Sequence, residues 1–119
     1  FKNVNLSFYC LDASKDILPK ADCVILRQVL QHLSNQEIAQ ILENIKSYRY
    51  IILTEHIPNN NFTANKDIIA NAGNRLKKQS GVKLTEPPFN SSFKKETVLL
   101  KVILDNNKGA IETRLLELS

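Results

Sequence analysis

The sequence predicts an α/β fold whose central unit is a strand, a helix and a second strand between residues 22 and 56. Residues 23–26 and 50–53 are unbroken apolar runs, typical of strands that are buried on both faces of a parallel sheet. Between them, Ser34 and Glu37 have the spacing of a capping box, and the apolar stripe of a helix follows at Ile38, Ile41, Leu42 and Ile45. A crossover of this size joins two parallel strands.

The rest of the chain predicts further elements on either side of this unit. The apolar run at residues 6–11 indicates an additional strand, and residues 66–79 have a weaker helical pattern. Residues 97–104 and 110–118 predict an antiparallel hairpin, with Gly109 available for a positive φ in the turn. The expected order is therefore β, β-α-β, helix, loop and β-hairpin, an α/β pattern with an antiparallel pair at one end.

Composition narrows the class of protein. The chain has 119 residues, 43% of them hydrophobic, which suits one domain with a real core. The net charge of +4 comes with no stripe of basic and aromatic residues, so we expect no nucleic acid partner. No apolar run approaches the roughly 18 residues that span a bilayer, and no signal peptide is recognisable, so we expect a cytoplasmic protein. Cys10 and Cys23 lie in apolar runs and are predicted to be buried free thiols, and no zinc spacing is present.

Three segments resemble the class I S-adenosylmethionine-dependent methyltransferases. They are residues 11–13 (Leu-Asp-Ala), residues 18–22 (Leu-Pro-Lys-Ala-Asp) and residues 27–34 (Arg-Gln-Val-Leu-Gln-His-Leu-Ser). The resemblance implies a Rossmann-like, mostly parallel sheet with helices on its faces and a C-terminal antiparallel hairpin. It implies S-adenosylmethionine as cofactor. The first strands and the glycine-rich cofactor loop of the family are absent, so we expect residues 1–119 to be a single domain, the C-terminal portion of a methyltransferase-like domain, with roughly 100 residues upstream.

The resemblance also implies a cofactor site. In the family, the residue at Asp12 accepts a hydrogen bond from the adenine amino group, and the backbone N–H at Ala13 contacts a ring nitrogen. Backbone carbonyls at Arg27 and Gln28 would hold the amino group of the cofactor. Asp12 is equally suited to a local turn, and His32 either faces the cofactor or packs as a structural histidine. We expect Asp12, Arg27 and the polar end of the second parallel strand to meet at one rim.

The candidate catalytic residues are Glu55 and His56, which are adjacent at the end of a predicted strand. A carboxylate and an imidazole there are able to deprotonate a hydroxyl or an amine, although a polar strand end facing water gives the same pattern. Asn71 and Arg75 lie on the polar face of the weaker helix, which resembles the substrate-side insertion of the family. They are predicted to bind substrate, or else form a solvated face. No metal is indicated.

The predicted function is S-adenosylmethionine-dependent transfer of a methyl group to an oxygen or nitrogen of a small-molecule or peptide-like acceptor. In-line alignment of the nucleophile would supply much of the rate, because the sulfonium is already activated. The alternative is a non-catalytic methyltransferase-like scaffold or partner subunit. Another nucleotide-dependent enzyme with a doubly wound sheet is disfavoured by the final hairpin. We expect a small-molecule or peptide acceptor as partner and no membrane, and leave a homodimer open.

Overall fold

The computed structural model of the chain describes residues 5–69, 73 and 75–118. Its strands form one four-stranded sheet in the order β1-β2-β4-β3. The elements are β1 (Cys23–Arg27), α1 (Asn35–Ile45), β2 (Tyr50–Ile57), β3 (Lys95–Ile103) and β4 (Ala110–Glu117), with short 3₁₀ turns at Leu30–His32 and Arg75–Lys78.

The predicted strand–helix–strand unit is confirmed. β1 and β2 are parallel neighbours, in a register that places Cys23 beside Tyr50. Helix α1 begins with the predicted capping box, because the Ser34 hydroxyl accepts the Glu37 backbone N–H and the Glu37 carboxylate accepts the Ser34 N–H, each at 3.3 Å. Its apolar stripe is buried at Ile38, Ile41 and Ile45. Burial of each such side chain contributes about 1.5–3 kcal/mol, so this stripe attaches α1 to the sheet.

The predicted sheet topology is wrong. β2 and β4 are antiparallel, β4 and β3 are antiparallel, and β1 with β2 is the one parallel pair among the described strands. The sheet is therefore mixed and mostly antiparallel, not Rossmann-like with helices on both faces. The reason is the connection: each parallel pair needs a crossover, and α1 is the one α-helix in the described part of the chain. The C-terminal hairpin itself is confirmed, with Gly109 at φ +88° in its turn.

Residues 6–11 form no strand, contrary to the prediction. Leu6, Phe8, Tyr9 and Leu11 are all exposed, Phe8 to 79%. An apolar run becomes a strand only where a neighbouring strand takes up its backbone hydrogen bonds, and none of the four described strands pairs with this segment. The prediction of a buried thiol is also wrong for Cys10, which is exposed, whereas Cys23 is half-buried.

The weaker helix predicted for residues 66–79 is not α-helical over its described residues. Only the 3₁₀ turn Arg75–Lys78 is regular there, and residues 70–72 and 74 lie outside the description. Gly73 has φ +117°, which is incompatible with a right-handed helix. Asn65, one residue before the predicted start, also has a positive φ of 61°. Backbone turns at both places override the helical spacing of the apolar side chains.

The core lies on one face of the sheet. Alternate residues of β2, namely Ile51, Leu53, Glu55 and Ile57, point to this inner face, where α1 and residues 82–84 cover the sheet. On the outer face, apolar side chains such as Ile25 and Leu100 are 68% and 60% exposed. Within the described ranges, no helix has the length and apolar character needed to cross a membrane. The alternation along β2 is what carries a glutamate into the core.

Candidate functional site

Glu55 is the most unusual residue of the inner face. Its side chain is only 4% exposed, yet neither carboxyl oxygen accepts a hydrogen bond from any described residue. In the register of β2 and β4, Glu55 lies directly opposite Glu112. Directly opposite residues of an antiparallel pair have Cβ atoms about 4.5–5.5 Å apart, so two carboxyl-bearing side chains share one small region.

The environment of Glu55 changes its protonation. Burial raises the pKa of Glu55 from 4.5 to about 8, and the nearby Arg75 guanidinium and Gln31 backbone amide oppose this shift only in part. The Gln31 amide lowers the pKa from close by without reaching hydrogen-bond geometry to either carboxyl oxygen. A carboxyl group that titrates just above neutrality is suited to accept and return a proton.

Arg75 is the second buried ionisable residue of the site, at 1% exposure. Its guanidinium donates to the backbone oxygens of Leu30 (3.1 Å) and Gln31 (3.3 Å), and to the side-chain oxygen of Asn35 (2.6 Å). Burial lowers the pKa of Arg75, an effect that Asp67 and Glu55 oppose. Its Nε has no partner among the described residues. Arg75 thus joins the turn after β1 to the start of α1.

His56 does not work together with Glu55 in this geometry. Successive residues of a strand point to opposite faces, so His56 leaves the sheet on the outer side. There its Nε2 lies 2.6 Å from the Lys108 backbone oxygen. Its backbone N–H donates to the Gln31 side chain at 2.9 Å. One acceptor molecule therefore cannot contact both predicted catalytic side chains.

His32 occupies the turn after β1. Its Nδ1 lies 3.1 Å from the Gly73 backbone oxygen, and its Nε2 lies 3.3 Å from Nε2 of buried Gln31. These two contacts fix the ring beside the Gln31 side chain. His32 is thereby near the Arg75 group, since Arg75 binds the Gln31 carbonyl.

Arg27 and Gln28 lie at the carboxyl end of β1, as predicted. Arg27 is exposed on the outer face, and Gln28 turns the chain with a left-handed φ of 52° while its N–H donates to Thr54 at 2.7 Å. Asn71, the other predicted substrate-binding residue, lies outside the described residues. The structure thus assembles Gln28, His32, Arg75 and Glu55 around the ends of β1 and β2.

Asp12 and Ala13 are placed away from this group. One Asp12 carboxylate oxygen accepts the Ser14 N–H (2.9 Å) and hydroxyl (2.6 Å), which holds the pKa of Asp12 below its usual value. The Ala13 carbonyl accepts a hydrogen bond from Asn44, near the end of α1, whereas Arg75 binds Asn35 at its start. These helix positions are about 13 Å apart along the axis. The structure therefore gives Asp12 the local-turn role and does not bring it to the expected rim.

A cavity of about 180 Å³ opens between the inner face of the sheet and the loop that precedes β3. Leu53, Val82, Leu84 and Phe93 form apolar walls, and Glu55 lies among them. Five other charged residues line it as well: Lys83, Glu86, Glu96, Glu112 and Arg114. Arg114 donates to Glu112 at 2.5 Å and to Glu96 at 3.4 Å, so these three are already paired.

Sequence reasoning missed several residues that organise the site. Buried Asn65 donates through its side chain to the Lys83 and Pro87 carbonyls (2.7 and 2.9 Å), and its Oδ1 accepts the Lys83 N–H at 2.8 Å. It thereby shapes the loop that closes the cavity. The tolerance of Asn for left-handed backbone was the one available signal. Gln31 and Glu112 gave none, because their importance depends on neighbours far away in sequence.

The described residues offer no metal-binding arrangement. Within residues 5–69, 73 and 75–118, no group of three or more His, Cys, Asp or Glu side chains is arranged to hold a metal ion.

No protein-family model matches this chain, and no curated protein or solved structure matches it either.

Proposed function

We propose that this chain belongs to an S-adenosylmethionine-dependent methyltransferase that modifies an oxygen or nitrogen of a small-molecule or peptide-like acceptor. The observation that carries the proposal is the parallel β1-α1-β2 crossover with a polar cluster around the carboxyl ends of its strands. In open α/β sheets, ligands bind in this position. Two members of the cluster, Gln28 and His32, belong to residues 27–34, the longest segment of the methyltransferase resemblance.

The cofactor residues fit this proposal unevenly. Gln28 turns the chain after β1 with a φ of 52°, and the resemblance implies that the backbone carbonyls of Arg27 and Gln28 would hold the cofactor's amino group. Asp12 and Ala13 lie away from that turn and do not complete an adenine site in this arrangement. When bound, S-adenosylmethionine supplies an activated methyl group on a sulfonium. The part of the proposal that rests on this chain's own side chains is therefore the acceptor side.

In this proposal, Glu55 is the general base that accepts a proton from the methyl acceptor. With S-adenosylmethionine bound as the methyl donor, the Glu55 carboxylate would take the proton from the acceptor oxygen or nitrogen that is methylated. The burial that raises its pKa to about 8 makes it a stronger base than an exposed glutamate. Gln31 and Arg75 are positioning residues, because they fix the turn after β1 next to this carboxyl group.

Thermal unfolding with added ligand tests the proposal. S-adenosylmethionine and S-adenosylhomocysteine should raise the melting temperature of the protein, and ATP at the same concentration should not. At one hundred times the dissociation constant, the added stability is about 2.7 kcal/mol. Absence of a shift with either ligand at millimolar concentration would contradict cofactor binding.

A matched pair of variants separates binding from chemistry. Glu55→Gln should leave the shift with S-adenosylmethionine unchanged but abolish transfer of a labelled methyl group. Glu43→Gln, on the exposed side of α1 where Glu43 forms an ion pair with Lys46, should retain both. Retained transfer in Glu55→Gln would remove Glu55 from the chemistry while leaving the cofactor assignment intact.

A further inference from the structure

The carboxyl group of Glu55 lines the cavity without a hydrogen-bond donor from the described residues. It is nine-tenths buried, both of its oxygens lack a hydrogen-bond donor among the described residues, and Glu112 faces it from β4. A buried polar group without a partner costs about 1–3 kcal/mol, and more when it is charged. A ligand that donates hydrogen bonds to the carboxyl group would remove this cost.

The remaining charges of the cavity favour a cation as that ligand. Four glutamates line it, at positions 55, 86, 96 and 112, against the basic residues Lys83 and Arg114. Arg114 is already engaged by Glu96 and Glu112, and the Lys83 ammonium lies over the Phe62 ring at 4.7 Å. Neither cation is therefore used by Glu55.

We propose that this cavity binds a small primary amine, with the ammonium group held between Glu55 and Glu112 and the alkyl part against Leu53 and Phe93. An ammonium group carries three donors and no acceptor, which matches two facing carboxyl groups. The cavity, at about 180 Å³, is smaller than sites for drug-sized ligands, which begin near about 300 Å³. A cavity of about 150 Å³ holds a molecule of six carbons, so an amine of four to six carbons fits.

This site needs no cofactor, so it stands separately from methyl transfer. If amine binding is found without any effect of S-adenosylmethionine, only the proposed function falls. If the cofactor binds and the amine does not, only this site falls. If both bind, the amine identifies the class of methyl acceptor as a nitrogen nucleophile.

Isothermal titration of the protein with n-butylamine tests the site, with 1-butanol and butyrate as uncharged and anionic matches of the same length. n-Butylamine should bind at least about tenfold more tightly than 1-butanol, a difference of about 1.4 kcal/mol, and butyrate should not bind. Equal binding of the alcohol would show a merely apolar cavity and overturn the proposal. So would the absence of amine binding up to about 100 mM, a concentration that saturates a site with a dissociation constant of about 1 mM.

Two variants localise the ammonium group. Glu55→Gln keeps the shape of the side chain and should raise the dissociation constant of n-butylamine at least about tenfold, and Glu112→Gln should raise it several-fold. Glu43→Gln, outside the cavity, should leave it unchanged. A wild-type dissociation constant in both cavity variants, with melting curves showing that they fold, would overturn the proposal.

Titration at several pH values gives an independent readout. The groups that face Glu55 or line its cavity are Arg75, Lys83, Glu86, Glu96, Glu112 and Arg114. An ammonium group binds the ionised carboxylate, and the pKa of Glu55 is raised to about 8, so binding at pH 7 should release a proton to the buffer. The affinity should rise at least about tenfold between pH 6 and pH 8, and this rise should vanish in Glu55→Gln. A wild-type affinity independent of pH would count against Glu55 as the ammonium partner.

Discussion

Two arginines lie close to glutamates on the same face of the sheet, and their surroundings give them opposite roles. Arg114 is half-exposed, and its guanidinium forms ion pairs with Glu112 and Glu96. Arg75 is fully buried, and its guanidinium donates to two backbone carbonyls and one side-chain amide oxygen. Among the described residues, Glu55 has no ion-pair partner. The comparison shows that burial, more than the presence of a nearby opposite charge, decides which glutamate has a pKa near neutrality.

The largest expected effect is the pH dependence of stability that Glu55 imposes. Its pKa is about 8 in the folded protein against 4.5 ordinarily, so between these pH values the folded state holds one proton more than the unfolded state. The Glu55 contribution is complete below pH 4.5 and is lost as the pH rises to about 8, by up to about 5 kcal/mol. Urea unfolding of wild type and Glu55→Gln at pH 5, 6, 7 and 8 measures the difference between the two.

The free energy of unfolding of Glu55→Gln relative to wild type should rise steadily across that series. Leu53→Ala, which empties part of the same cavity wall without a titratable group, should lose about 2–5 kcal/mol equally at every pH. A constant difference between wild type and Glu55→Gln would show that the Glu55 carboxyl group is ionised throughout, and the contrast with the Arg114 region would disappear.

Removal of the buried arginine is the next largest effect. Arg75→Met keeps an apolar stem of similar length but strands the carbonyls of Leu30 and Gln31 and the side chain of Asn35. Loss of one partner from a buried charged network costs about 3–5 kcal/mol, so the urea midpoint should fall sharply. A loss below about 1 kcal/mol, the range of exposed pairs, would show that Arg75 is not structurally distinct from Arg114.

The parts of the fold that followed from the sequence are those with local causes. The capping box at Ser34, the apolar stripe of α1 and the turn at Gly109 each depend on residues within one helix or one hairpin, and each is confirmed. The predicted parallel sheet and the strand at residues 6–11 depended on which strands become neighbours. Strand neighbours are set by long-range contacts that periodicity does not contain.

In the candidate site, too, the residues that local sequence patterns indicated were predicted, and those that depend on long-range neighbours were not. Glu55 was identified because it follows an apolar strand, a local pattern, and its burial follows from the alternation along β2. Its cross-strand neighbour Glu112 and its organiser Gln31 are 57 and 24 positions away, and nothing local marked either one. His56 was predicted as a partner from adjacency alone, although adjacent strand residues point to opposite faces. Strand alternation was available in the sequence and should have separated the two.

The smallest expected effect belongs to the other arginine and completes the contrast. Arg114→Met removes two ion pairs, but its side chain is 37% exposed, so water and salt already screen them. Exposed pairs contribute about 0–1 kcal/mol, and most of the change should vanish when wild type and variant are compared in 1 M salt. A salt-resistant loss above about 2 kcal/mol would place Arg114 in the same energetic class as Arg75. Glu112 would then be held by a strong pair with Arg114 and would not be free to share an ammonium ligand with Glu55.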